Sequence, residues 1–113
     1  EAKDMGDVEY VKLNNQFVVP VVNDKFVDAL VVMSLSIEIE LGGSQKVYSL
    51  EPKLRDAFLQ VLFEHANIGG FQGQFTDTTN LNILKNALSD VAHTIIGDNA
   101  IRVLITDIAR QDA

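Results

Sequence analysis

Ala29-Leu30-Val31-Val32-Met33-Ser34-Leu35-Ser36-Ile37-Glu38-Ile39-Glu40-Leu41 is the stretch on which the fold turns. Met33, Leu35, Ile37, Ile39 and Leu41 alternate with Ser34, Ser36, Glu38 and Glu40, and a period of two marks a β-strand with one dry and one wet face. The run 30–33 is apolar on both sides, so that end is expected to lie deeper than the glutamate end. Thirteen residues at ~3.4 Å each would reach about 44 Å, long for a chain of this size, and a bend or bulge is therefore expected within the strand.

Working outward toward the amino terminus, residues 8–13 and 16–22 form two short β-branched runs with Asn14-Asn15 as turn material between them. Pro20 lacks an amide proton, which places the second run at a sheet edge or ends it there. Asn23-Asp24 is the next turn. Toward the carboxyl terminus, Gly42-Gly43-Ser44 turns the chain, and residues 45–48 are expected to pair back as a hairpin.

Pro52 then opens a helix, with Ser49 or Glu51 as its cap. Leu54, Phe58, Val61 and Leu62 share one face of it, and Lys53, Asp56, Gln60 and Glu64 share the other. Leu59 and Phe63 form a second apolar flank, wider than one sheet usually covers, and the helix stops near Asn67. A second helix follows Thr76-Asp77, with Leu81, Leu84, Leu88, Val91, Ala92 and Ile95 on its dry side, and Gly97 ends it. The intervening residues 67–75 hold three glycines and two phenylalanines, a composition suited to an ordered loop. Residues 101–108 read as a mostly apolar strand, expected at the centre of the sheet. The class is α+β: a twisted mixed or antiparallel sheet packed against two main helices, in one domain spanning residues 8–113.

Composition removes several function classes. Sixteen acidic against nine basic side chains give a net charge of −7, which repels a phosphate backbone, so nucleic acid is a poor partner. The absence of cysteine excludes disulfides, thiolate metal sites and cysteine nucleophiles. No apolar run approaches the ~18 residues of a membrane helix. Residues 1–7 are polar and unlike a signal peptide, so they are expected to be a lead-in belonging to something longer.

Each candidate for chemistry has a plainer reading. His65 lies in the apolar arc near the end of the first helix and is expected to be partly buried with one or two hydrogen bonds; His93, on the polar face of the second helix, is expected to be solvated. Neither has a histidine three or four positions away, so no metal is expected. Gly69, Gly70 and Gly73 are not followed by the lysine and hydroxyl of a phosphate-binding loop, and no serine stands in a nucleophile elbow. Glu38 and Glu40 are expected to form a solvated, aggregation-resisting strand edge, and Asp107 to cap a turn or pair with Arg110. No catalytic residue and no cofactor are expected. Leu59, Phe63, Ile68, Phe71 and Phe75 divide between core filling and a subunit or partner contact, because apolar surface left over from one core usually marks an interaction site.

Several segments carry a resemblance. Tyr10-Val11-Lys12-Leu13, Phe17-Val18-Val19-Pro20, Ala29-Leu30-Val31-Val32-Met33-Ser34-Leu35, Leu54-Arg55-Asp56-Ala57-Phe58-Leu59, Asn67-Ile68-Gly69-Gly70-Phe71 and Val103-Leu104-Ile105-Thr106-Asp107-Ile108 look like segments of the periplasmic domain of the flagellar basal-body-associated FliL family, in family order. The resemblance implies a stomatin (SPFH)-like domain on the periplasmic side of the bacterial inner membrane. It implies a homo-oligomeric ring around the flagellar stator complex (MotA/MotB type), supporting its active state and torque without enzymatic activity. It also implies an amino-terminal membrane helix, which this sequence lacks and from which residues 1–7 would be the linker. Rival readings are a general stomatin-like membrane scaffold with no flagellar role and a small hydrolase or ligand-binding domain built on His65 and the carboxylates.

Overall fold

The computed structural model describes residues 7–113, and the lead-in 1–6 lies outside the described residues. Strands β1 (Val8–Lys12), β2 (Phe17–Asn23) and β3 (Phe26–Glu40) come first, followed by helices α1 (Ser44–Ser49), α2 (Glu51–Asn67) and α3 (Thr78–Ile96) and by strand β4 (Ala100–Asp112). The alternating stretch forms the carboxyl-terminal part of β3, the spine of the sheet, and every other strand pairs antiparallel with it.

β1 and β2 lie end to end along one edge of β3. Val8 opposes Glu40 and Lys12 opposes Ser36, after which Phe17 opposes Met33 and Asn23 opposes Phe26. Asn14-Asn15 therefore does not reverse the chain; it interrupts a single edge, and the Leu13 amide still donates to the Leu35 carbonyl at 3.0 Å. The reversal comes at Asp24-Lys25, where Asp24 takes φ +56°, an angle that Asp tolerates better than most residues. Pro20 sits in this edge strand as its missing donor requires. The expected irregularities in the long strand are present as register shifts against β4 between Ser34 and Leu35 and between Glu38 and Ile39, with a third in the β2 pairing at Val21/Val22.

Four sequence expectations are corrected. Residues 45–48 are helical, because β1 and β4 already occupy both edges of β3 and leave no partner strand for a hairpin. α1 instead folds Val47 into the core, and the turn before it is held by the Gly42 amide donating to Glu9 Oε2 at 2.6 Å. β4 is an edge strand, with β3 as its partner among the described residues. Its apolar residues Ile101, Leu104, Ile105 and Ile108 are only half-buried, as an edge position dictates. The glutamate end of β3, not the 30–33 end, is the deeper one: residues 33–39 are all buried while Leu30 is exposed. Finally, α2 is capped by neither Ser49 nor Glu51. Leu50 occupies the cap position and makes no side-chain cap bond, Glu51 begins the helix, and Pro52 follows it within the first turn.

α2 packs over β2 and α3 over β4, and the two helices lie against each other on one face of the sheet. Between the layers, Phe17, Val19, Met33, Leu35, Ile37 and Ile39 meet Phe58, Leu62, Leu84, Leu88 and Ile96. Phe17 and Phe58 meet edge to face at 6.3 Å, and the Arg55 guanidinium stacks over the Phe17 ring at 4.2 Å while donating to the Asn15 carbonyl at 2.6 Å.

Candidate functional site

The helical layer keeps an apolar seam on its surface. Ala57, Val61, Glu64 and Ile68 recur at helical spacing along α2 and just beyond its end, and they face Ile83, Ala87, Asp90, Val91 and Thr94 of α3. Two depressions follow from this. One, of about 330 Å³, lies between Ala57 and the Asp90–Ile95 turn of α3; the other, of about 280 Å³, is walled by Val61, Glu64, His65, Ile68, Ile83, Leu84 and Ala87. Ile68 is 78% exposed and Ile83 57%, which leaves the rim of this region unusually greasy, and Phe63, on another flank of α2, is 41% exposed.

The five residues expected to divide between core and contact separate cleanly. Phe63 and Ile68 are exposed. Leu59 and Phe75 are half-buried against the core. Phe71 takes the core alternative and not the contact: its ring is fully buried, because the glycine loop folds back and inserts it beneath the end of α2. Ile83 was missed by the sequence reading, since a single isoleucine off the main stripe of α3 gives no periodic signal.

The loop between α2 and α3 is clasped from three sides. Asn80, in the first turn of α3, donates through Nδ2 to the Gly70 carbonyl at 2.8 Å and the Phe75 carbonyl at 2.6 Å. Arg110 of β4 donates to the Phe71 carbonyl at 2.6 Å and to Gln72 Oε1 at 3.3 Å. His65 of α2 meets the Phe71 ring edge to face at 4.9 Å and packs so closely on Gly70 that any Cβ there would overlap the imidazole. Asn80 and Arg110 carry no sequence motif; their role comes from meeting the loop in space.

His65 departs from the expected partly bonded state. It is 6% exposed, and its Nε2 has no hydrogen-bond partner among the described residues. Burial pushes its pKa below the usual imidazole value, outweighing the Gly70 backbone and Asn80 side chain, which favour the charged form. Glu64 borders the same depression, yet no carboxylate bonds the orphan nitrogen, so the His–carboxylate pair that a hydrolase reading needs is not assembled here. His93 is exposed, with Nε2 3.1 Å from the Ile101 carbonyl.

The carboxylates are also corrected. Glu38 is only 8% exposed and lies on the central strand, where it accepts a 2.7 Å bond from Arg102 Nε; Glu40 is half-buried. Arg110 pairs with Asp112 at 2.7 Å and Asp28 at 3.6 Å rather than with Asp107. Among the described residues no three His, Cys, Asp or Glu side chains gather as a metal-ligand cluster, and no helix is long and apolar enough to cross a membrane.

Comparison with protein-family models yields no match for this chain, and comparison with curated proteins yields none either.

Proposed function

We propose that this chain is a non-enzymatic assembly module, the periplasmic domain of a FliL-type accessory protein that self-associates around the stator units of a flagellar motor and supports their active state. The observation that carries the assembly reading is the apolar surface that one core has left uncovered: Ile68 and Ile83 at the α2–α3 seam, and Phe63 on another flank of α2. The flagellar part rests on the segments quoted from the sequence. A sheet with helices on one face is compatible with a stomatin-like domain. Weak pairwise contacts suffice for a ring, because each subunit gains two neighbours and tethering to a membrane raises their effective concentration.

Phe63→Glu and Ile68→Asp test the proposal, because both side chains are exposed and their replacement should leave the fold intact. Sedimentation should show reduced self-association of the tethered or full-length protein, and cells carrying either variant should swim poorly under high load. Unchanged association and motility in both variants would remove this surface from the reading. Lost association with normal motility would favour a general membrane scaffold.

A further inference from the structure

We infer that the loop between α2 and α3 is a latch held shut by neutral His65 and released by acidification, which uncovers Phe71 for contact with a neighbour. The inference extends the assembly reading by naming a control on the same surface.

The geometry sets a conflict that only one protonation state avoids. The imidazole is buried against Gly70 and Phe71, and Nε2 makes no hydrogen bond in the closed loop. A neutral ring can leave one nitrogen unpaired, whereas an imidazolium has two N–H donors to satisfy and a charge to solvate. The Gly70 backbone and the Asn80 side chain favour the charged ring, but burial outweighs them while the loop is closed. Opening the loop solves the problem by exposing the ring to water. It costs the bonds from Asn80 and Arg110 to the loop carbonyls and lifts Phe71 out of the core.

The charged groups around this node are Glu64 on α2, Asp77 at the cap of α3, and Arg110 on β4 with its partners Asp28 and Asp112. Between pH 5 and 8 imidazole is the side chain that ordinarily changes charge. The position of His65 at the carboxyl end of α2 favours its cation through the helix dipole, but the ring itself is buried and the desolvation is larger. The sign follows. The closed loop holds fewer protons than the open one, so its stability is complete above the open-state pKa of about 6.5 and falls as pH drops through that value toward the lower closed-state pKa. Within that interval the open population rises by up to about tenfold per pH unit.

Amide hydrogen exchange of the chain, corrected for intrinsic rates, reads the latch at the Gly70, Gln72 and Asp77 amides, each bonded within the loop or to the end of α2. Between pH 7.5 and pH 5.0 their exchange should accelerate about three- to tenfold. His93→Gln should retain this response and His65→Gln should abolish it. A flat wild-type response, or a His65→Gln variant with the wild-type response, would overturn the inference. If His65→Gln does not fold, the wild-type His65 ring resonance decides: its titration midpoint must fall below the ordinary imidazole value of about 6.5 and coincide with the change in loop exchange, and a mismatch of midpoints refutes the latch. Gly70→Ala should open the loop at every pH. These readouts need no flagellum, so a pH-insensitive loop counts against the latch alone, and lost association of the Ile68→Asp variant with normal motility counts against the motor reading alone.

Discussion

Glu38 shows how much a single position is set by its neighbours. On the open face of the sheet it lies opposite Tyr10 in one direction and Arg102 in the other, and Arg102 supplies the cation its buried carboxylate requires. The Arg102 side chain is itself 59% exposed, so solvent screens the pair and its net worth is modest. Arg102→Ala should therefore lower stability by about 1 kcal/mol, chiefly by leaving Glu38 unpaired. Adding Glu38→Gln should recover most of that loss in chemical denaturation, since the uncompensated charge is then gone. Phe58 is a stronger case: it is fully buried against Phe17, and Phe58→Ala should cost about 3–5 kcal/mol in the same experiment.

At the scale of elements, the ends matter more than the middles. α3 stops at Gly97, whose φ of +109° and ψ of −167° lie in a region essentially closed to residues with a Cβ. Space is not the obstacle, since the nearest foreign atom to an added Cβ would be Lys46 Nζ at 3.7 Å. Gly97→Ala should thus cost about 1–3 kcal/mol from backbone strain alone, measured by thermal unfolding, with helix content unchanged by circular dichroism. The ends and dry faces of α2 and α3 were legible in the sequence because Pro52, Asp77, Gly97 and the leucine spacing are local signals. α1 was not, because Val47 and Tyr48 suit a strand or a helix equally. Which one forms depends on whether β3 has a free edge.

For the whole molecule, β3 is the hinge of the energy balance, since it touches β1, β2 and β4 and its dry face meets the helices. Leu35→Ala, at a fully buried position of that strand, should destabilise the fold by about 2–5 kcal/mol, whereas Val22→Ala near the exposed β2–β3 turn should change it by under about 0.5 kcal/mol. Both values come from denaturant midpoints, with the slope unchanged if unfolding remains all-or-none.

Spacing along the chain was enough to set an α+β composition, the long alternating strand with its irregularities, two amphipathic helices and their stops, and an apolar excess on the first of them. Tertiary structure decided what depends on who stands alongside. It put β3 rather than β4 at the centre, buried the glutamate end, drew Phe71 into the core, and enclosed His65 with an unpaired nitrogen. The physical reason is that periodicity fixes which way a side chain points, while burial and pairing are properties of the neighbours it meets, and those come from residues far away in the chain.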